Sequence, residues 1–318
     1  MNKIIDPIPV PTLLEELTLD RFFRKTNNGH NEIYIVNAFN APHVMREIGR
    51  LREISFRDSG GGTGLDCDLD VFDLNPDNYF EQLIVWNPID QAIVGGYRFL
   101  LCDRLKPNEE GQVDTPTAEL FHYSERFVKE YLPYTIELGR SFVQPDYQPS
   151  KSLSKGIYSL DNLWDGLGSL IKMLPQARYF FGKVTMYPQL ERGARDMILY
   201  FMKTQFADPD RLVYPHPDLE LPILTDEEKL KPLFTGKGYA ENYRILVKQV
   251  RERGAAVPPL VNAYMSLSST MRSFGTALNA PFGKVEETGI LVTINDIYKE
   301  KAERHLSYNP NEKPLHLS

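Results

Sequence analysis

Two cysteines in 318 residues, Cys67 and Cys102, are too few for a disulfide framework and form no spaced metal or redox motif. Such sparse use of cysteine favours a reducing compartment. There is no GxxxxGK[ST] phosphate loop, because GGGTGLD has no lysine and TGKGY lacks the upstream glycine. No GxSxG marks a serine hydrolase. None of the six histidines is followed at the fifth position by aspartate, which removes the HxxxxD pair of glycerol-phosphate-type acyltransferases. They are also too scattered to suggest zinc, and no metal is expected. Basic charge is not in excess: a net charge of −7 argues against a general nucleic-acid binder. Apolar runs such as IVGGY before Arg98 fall far short of the roughly 20 residues that cross a bilayer. The N-terminal MNKIIDPIPVPTLLEEL is broken by prolines and turns acidic, unlike a signal peptide. The expectation is a cytoplasmic protein, with room left for peripheral contact at the inner face of a membrane.

What remains is an ordinary globular composition, 42% hydrophobic and 25% charged, without repeats or low-complexity tracts. A single α/β domain over 1–318 is expected, with no convincing boundary. Helical spacing predicts helices over 12–24, over 42–56 (Val44, Ile48, Leu51 and Ser55 on one stripe) and over 117–131. YFEQLIVW and AIVGGYRFLLC, joined by NPIDQ, read as a hairpin, in which Gly95 and Gly96 signal a bulge or a close backbone approach. The strand 136–143 (IELGRSFV), a helix through LDNLWDGLGSLIKM with Ser159 as its N-cap, and a strand RYFFGKVTM form a right-handed βαβ unit with parallel strands. Helices over 188–206 and 239–253 suggest an insertion spanning 188–260, and GILVTIND reads as a late strand.

Charged residues stand where apolar strands and stripes would not need them. Asp66, Asp68 and Asp70 imitate the start of a calcium loop, but Val71 stands where glycine is needed and no glutamate closes the loop. Taken in order, Arg52 and Phe56 in REISF, Asp70 and Asp73 in DVFD, Arg98 in GGYRF, and Glu137 and Arg140 in ELGR form a series. That series resembles the acyl-homoserine-lactone synthases, a branch of the GNAT-like acyltransferases. A fuller resemblance is to their sister group, the ornithine-lipid and glycine-lipid N-acyltransferases, often labelled haemolysin-like. It is carried by ELGRSFVQPDYQ, YSLDNLWDGLG, RYFFGKVTMYP, VPPLVNAYMSL and the segment ending ERHL, and it covers about 40–306.

The resemblance implies a GNAT-like α/β fold: a mixed central sheet with two splayed parallel strands, and extra helices in the C-terminal half. It implies transfer of a fatty acyl group, often 3-hydroxylated, from acyl carrier protein to the α-amine of a small amino acid such as glycine or ornithine. The phosphopantetheine thioester is then a co-substrate and no cofactor is tightly bound. A signal synthase and a non-catalytic acyl- or carrier-binding module are the alternatives. Aminolysis of a thioester needs a neutral amine, and Glu137 is the expected base, against the plainer reading of an ion-pair partner for Arg140 or Arg98. Arg98, Arg52 or Arg140 suits the acceptor carboxylate. Phe56 is expected to wall the site, and Asp70 and Asp73 to take the ammonium or hold the arginines. Backbone donors near Val143 would face the oxyanion. The helix start with Lys151, Ser152, Lys155 and Ser159 suits the pantetheine phosphate. For an acidic carrier, Lys183, Arg192, Arg195 and Lys203 offer positive charge, unless they are simply a solvated face.

Overall fold

The structure, a computed structural model, describes residues 1–149, 151, 156–306 and 313–315. Its elements in chain order are α1 (Val10–Glu16), β1 (Phe22–Lys25), β2 (Glu32–Val36), α2 (Pro42–Asp58), α3 (Val71–Leu74), β3 (Glu81–Asn87) and β4 (Ala92–Leu101). They continue with β5 (Phe121–Tyr123), β6 (Thr135–Val143), α4 (Ser159–Met173), β7 (Tyr179–Met186), α5 (Arg192–Gln205), β8 (Val213–Pro215) and α6 (Glu227–Leu230). The last are α7 (Tyr239–Glu252), α8 (Pro259–Met265), β9 (Arg272–Asn279), β10 (Val285–Thr293) and α9 (Lys299–Leu306). The class is α/β, with mostly antiparallel strands, a parallel pair and helices. The chain gathers into two compact units.

The first unit holds Met1–Arg104, Ile136–Ala177 and the described residues from Lys299 on. Its strands run β1-β2-β3-β4-β6, each antiparallel to its neighbour. Helix α2 starts at Pro42, a residue suited to a first helical turn, and buries Val44, Ile48, Leu51 and Ser55 as its spacing predicts. Arg52 of α2 reaches Gln82 of β3, while a Cβ on Gly166 of α4 would strike Leu83. Successive strand residues point to opposite faces, so α2 and α4 cover opposite sides of this sheet. The hairpin glycines are close approaches: a Cβ on Gly95 would lie 2.3 Å from the Phe142 carbonyl oxygen, and one on Gly96 2.7 Å from that of Leu83.

The motifs around YSLDNLWDGLG and ERHL meet in this unit. Asp165 accepts from the backbone and side-chain nitrogens of Asn27, both at 2.8 Å, and lies 2.8 Å from Nδ1 of His305. Buried Arg24 adds bonds to Ser169 and to the His305 carbonyl, each 3.2 Å. A Cβ on Gly168 would come within 2.8 Å of that carbonyl, so the glycine lets α9 lie directly on α4.

The second unit holds Leu105–Thr135 and Arg178–Tyr298. Here β10 lies between β7 and β9, antiparallel to both, and β5 and β8 form a separate ribbon. Helix α5 packs against α7 through aromatic side chains, Phe201 meeting Tyr239 and Tyr243 at ring-centroid distances of 5.7 and 6.0 Å.

Three expectations need correction. The helix predicted over 12–24 stops at Glu16, because Leu17 leaves helical geometry and Phe22–Lys25 pairs with β2. Instead of one helix over 117–131, Phe121–Tyr123 pairs with Val213–Pro215, leaving only 125–131 helical. Ser159 is the first residue of α4 rather than its cap: its hydroxyl donates to the Tyr147 carbonyl at 2.9 Å, and among the described residues no side chain caps the helix.

Candidate active site

In the first unit, strands β3, β4 and β6, helix α2 and the turn around α3 bring together Arg52, Asp68, Asp70, Asp73, Gln82, Arg98 and Arg140. Asp70 caps α3, accepting from the backbone N–H of Phe72 and Asp73 at 3.0 and 3.2 Å, while Asp73 accepts in return from the Asp70 N–H at 3.3 Å. This reciprocal cap fixes both carboxylates before any arginine arrives.

Asp73 is buried at the centre. It accepts from Nη1 of Arg52 at 3.0 Å, from Nε2 of Gln82 at 3.0 Å and from Nη1 of Arg98 at 3.4 Å. Arg52 closes the ring by donating through Nη2 to Oε1 of Gln82. The guanidinium of Arg52 is thus neither a solvated face nor an open clamp: it is buried and paired. Nη1 of Arg98 sits 2.8 and 2.7 Å from the two oxygens of Asp70, with its guanidinium over the rings of Phe80 and Phe72 at 5.3 and 5.8 Å. Nε of Arg98, like Nε of Arg52, finds no acceptor among the described residues, although the Arg98 side chain is only 1% exposed. Phe56 is buried one turn along α2 from Arg52.

Arg140 reaches the cluster through a bulge. Gly96 opposes Phe142 and Arg98 opposes Gly139, so Arg140 and Ser141 together face Tyr97. Arg140 takes φ +48, unusual for a residue with a Cβ, and its Nε lies 3.0 Å from Oδ2 of Asp68 and its Nη2 3.5 Å from Oδ2 of Asp70. Three arginines therefore meet three aspartates. The side chains of Asp70, 28% exposed, and Arg140, 17% exposed, form the end that solvent reaches.

The charges act on one another. Burial pushes the Asp70 carboxyl up, but Arg98 and then Arg140 outweigh it and hold it at about 2. Burial works against the charge of Arg98 as well, and Asp73 and Asp70 more than restore it, so its guanidinium is held still more firmly protonated.

Glu137 is buried on β6 opposite Leu100, on the same sheet face as Arg98. It lies two residues from Gly139, over which the Arg98 side chain runs, or about 7 Å along the strand. Burial first, and the Glu137 charge next, push the Cys102 thiol well up. Val143 is paired with Gly95, and the neighbouring Gln144 N–H is already committed to the Val94 carbonyl at 3.0 Å. Lys151 is exposed and 3.0 Å from Asp58, whereas Ser152 and Lys155 lie outside the described residues.

The basic stripe expected in the second unit does not stand free. Arg195 is buried against Glu286 and Asp196, both 2.6 Å away, and Lys183 donates to the Pro116 carbonyl at 2.6 Å with Glu287 at 3.4 Å. Lys203 pairs with Glu227, and Arg192 lies 3.9 Å from Glu286. Local acids consume the charges of Lys183 and Arg195, while Arg192 and Lys203 stay exposed in surface pairs worth little.

Gln82 and Asp68 were not singled out as site residues from the sequence. Gln82 carried one signal, a polar residue inside the apolar run EQLIVW; Asp68 stood out only as part of a calcium-like pattern.

An acetyltransferase (GNAT) domain model matches residues 51–156. The chain is 52% identical over 314 residues to a glycine N(alpha)-acyltransferase of Phocaeicola vulgatus, covering 99% of this chain and 95% of the relative. It is 53% identical over 306 residues to a glycine N(alpha)-acyltransferase of Bacteroides thetaiotaomicron, covering 96% and 90%. The chain belongs to the family of these N-acyltransferases and is an acyltransferase.

Proposed function

We propose that the chain transfers a fatty acyl group, often 3-hydroxylated, from acyl carrier protein to the α-amine of glycine, in aminolipid synthesis. The observation that carries glycine is near-full-length identity above 50% to two glycine N(alpha)-acyltransferases. The cluster supports the same reading. Its three arginines and three aspartates balance, which suits a zwitterion with one ammonium and one carboxylate. An acceptor such as ornithine would bring a further cation needing its own carboxylate.

Glycine's ammonium goes to the solvent-reached Asp70. Its carboxylate goes to Arg98, which unlike Arg52 is paired with the solvent-reached Asp70, with Arg140 beside it. Arg52, Asp73 and Gln82 hold that arrangement from behind, and Phe56 walls it. Glu137, directly or through one water, takes a proton from the amine. The nitrogen then attacks the thioester carbonyl; a backbone donor for the oxyanion near Val143 cannot be the Gln144 N–H, which is bonded to the Val94 carbonyl. Collapse breaks the C–S bond, and the leaving pantetheine thiolate is protonated by the second proton that the attacking nitrogen sheds as it becomes an amide. Lys151, the described one of the basic residues ahead of α4, is offered to the pantetheine phosphate; Ser159 drops out, because its hydroxyl donates to the Tyr147 carbonyl. Among the described residues no helix is long and apolar enough to cross a membrane. A cytoplasmic location, with lipid product leaving to the inner face, completes the proposal.

The test is purified protein with long-chain acyl carrier protein and glycine, followed by thiol release and mass spectrometry of the product. N-acylglycine formed in step with free thiol supports the reading. Acylation of ornithine in preference to glycine, or turnover of acyl-CoA at equal efficiency, overturns the acceptor or the donor respectively.

A further inference from the structure

We infer that the outward face of α7 is the docking surface for the acidic carrier protein that delivers the acyl thioester, an inference that rests on the carrier dependence proposed above. Helix α7 buries Asn242, Leu246 and Val250 on one stripe. On the other side Arg244, Lys248 and Arg251 are exposed at spacings of four and three residues, a row about 10 Å long. With Glu252 at one end, they rim an open groove of about 610 Å³ that has Tyr243 and Val247 as its apolar floor, a net surplus of two positive charges. The floor is held in place: the Tyr243 ring stacks on Tyr239 at 5.8 Å, and its hydroxyl bonds to Oδ1 of Asn262.

The charges of this row are unspent. Among the described residues neither Arg244 nor Arg251 has an acidic partner, and Lys248 has only the exposed Glu252 at 3.8 Å, a contact worth little in water. That contrasts with Lys183 and Arg195 of the same unit, which are largely buried against carboxylates. On a chain of net charge −7, three such cations around an apolar groove select an acidic protein surface and steer its approach. An anionic bilayer would instead want large exposed apolar side chains on the same helix, and α7 presents none.

The experiment compares wild type with R244E/K248E/R251E, using long-chain acyl carrier protein and, separately, the same acyl group on pantetheine. Removing a rim of charge acts on encounter, so KM for the acyl carrier should rise by about tenfold or more, with kcat within about twofold. Its dependence on ionic strength should flatten. Turnover of acyl-pantetheine and the melting temperature should stay unchanged. An unchanged KM for the carrier, or an equal loss with acyl-pantetheine, overturns the inference. So does loss of binding to phosphatidylglycerol vesicles with carrier KM intact, which would make the face a membrane surface. If wild type uses acyl-pantetheine but not the acyl carrier, the proposed donor fails first and the docking surface with it.

Discussion

The balanced cluster makes Asp73→Asn a severe change despite its near-identical shape. Asp73 accepts from Arg52 at 3.0 Å, from Gln82 at 3.0 Å and from Arg98 at 3.4 Å, all within a shell closed to solvent. Asparagine keeps an acceptor but removes one of three negative charges, leaving a buried cation uncompensated. Breaking a buried pair from one side costs about 3–5 kcal/mol, a large share of the roughly 5–15 kcal/mol that holds a domain together. For a chain of 318 residues that is a fall in Tm of roughly 4–8 °C. Adding Arg52→Met removes the surplus charge and fills similar volume, so D73N/R52M should melt well above the sum of the two single losses. Calorimetry and urea unfolding on all four proteins give the cycle. A D73N protein within about 1 kcal/mol of wild type, or a strictly additive double, would refute the picture of a charge-closed cluster.

Four further outcomes follow from the same geometry. Glu137→Gln should slow transfer by about 10²–10⁴-fold with partial rescue at higher pH, where more glycine is already neutral; a less stable but fully active variant removes Glu137 from the mechanism. Arg98→Lys keeps the charge but loses Nε, so it should raise KM for glycine far more than for the donor, and equal shifts in both would move the clamp elsewhere. Asp70 is held at about 2, below its ordinary 3.8, so the native state protonates less readily than the unfolded chain. Its stabilisation, on the order of 2 kcal/mol, is complete above about pH 4 and lost as pH falls through 2; Asp70→Asn should flatten that acid limb, and an unaltered limb in acid titration of stability would count against it. Gly95→Ala places a methyl 2.3 Å from a backbone oxygen and should cost about 1–3 kcal/mol or more, whereas a wild-type Tm would mean that β6 can retreat.

The long elements were legible because their own residues decide them: the buried stripe of α2, the β3–β4 hairpin and the leucine row of α4 each follow from local spacing. Short strands were not. Phe22–Lys25 reads as the tail of a helix until Glu32–Val36 pairs with it, and Phe121–Tyr123 needs a partner some ninety residues away. Arg98 and Arg140 stood out as charges in apolar strands, and it was the order of REISF, DVFD, GGYRF and ELGR, shared with a known family, that selected Arg52, Asp70, Asp73, Arg98 and Arg140 together. Which of them would be spent on one another was not readable, because partnership depends on where α3 sets its two carboxylates. The same blindness made Lys183 and Arg195 look like free surface, since Glu286 and Glu287 lie on a strand a hundred residues further on.

One extra residue in β6 links the fold to the cluster. By strict alternation Phe142 would point away from Glu137 and Gly139, yet all three share a face, because Arg140 and Ser141 together oppose Tyr97. The bulge therefore keeps Phe142 against Gly96, where a Cβ would come within 3.3 Å of its ring, while Glu137 and Gly139 stay on the side where Arg98 runs. It also sets Arg140 at φ +48, out of the ladder and across to Asp68 and Asp70. Deleting either bulge residue would regularise the ladder, but would turn either Phe142 or the pair Glu137 and Gly139 to the wrong face. Glycine at position 140 would relax the backbone and lose the cation. A strained arginine there is what the arrangement requires: the left-handed turn supplies the direction, and the two aspartates hold the side chain in it.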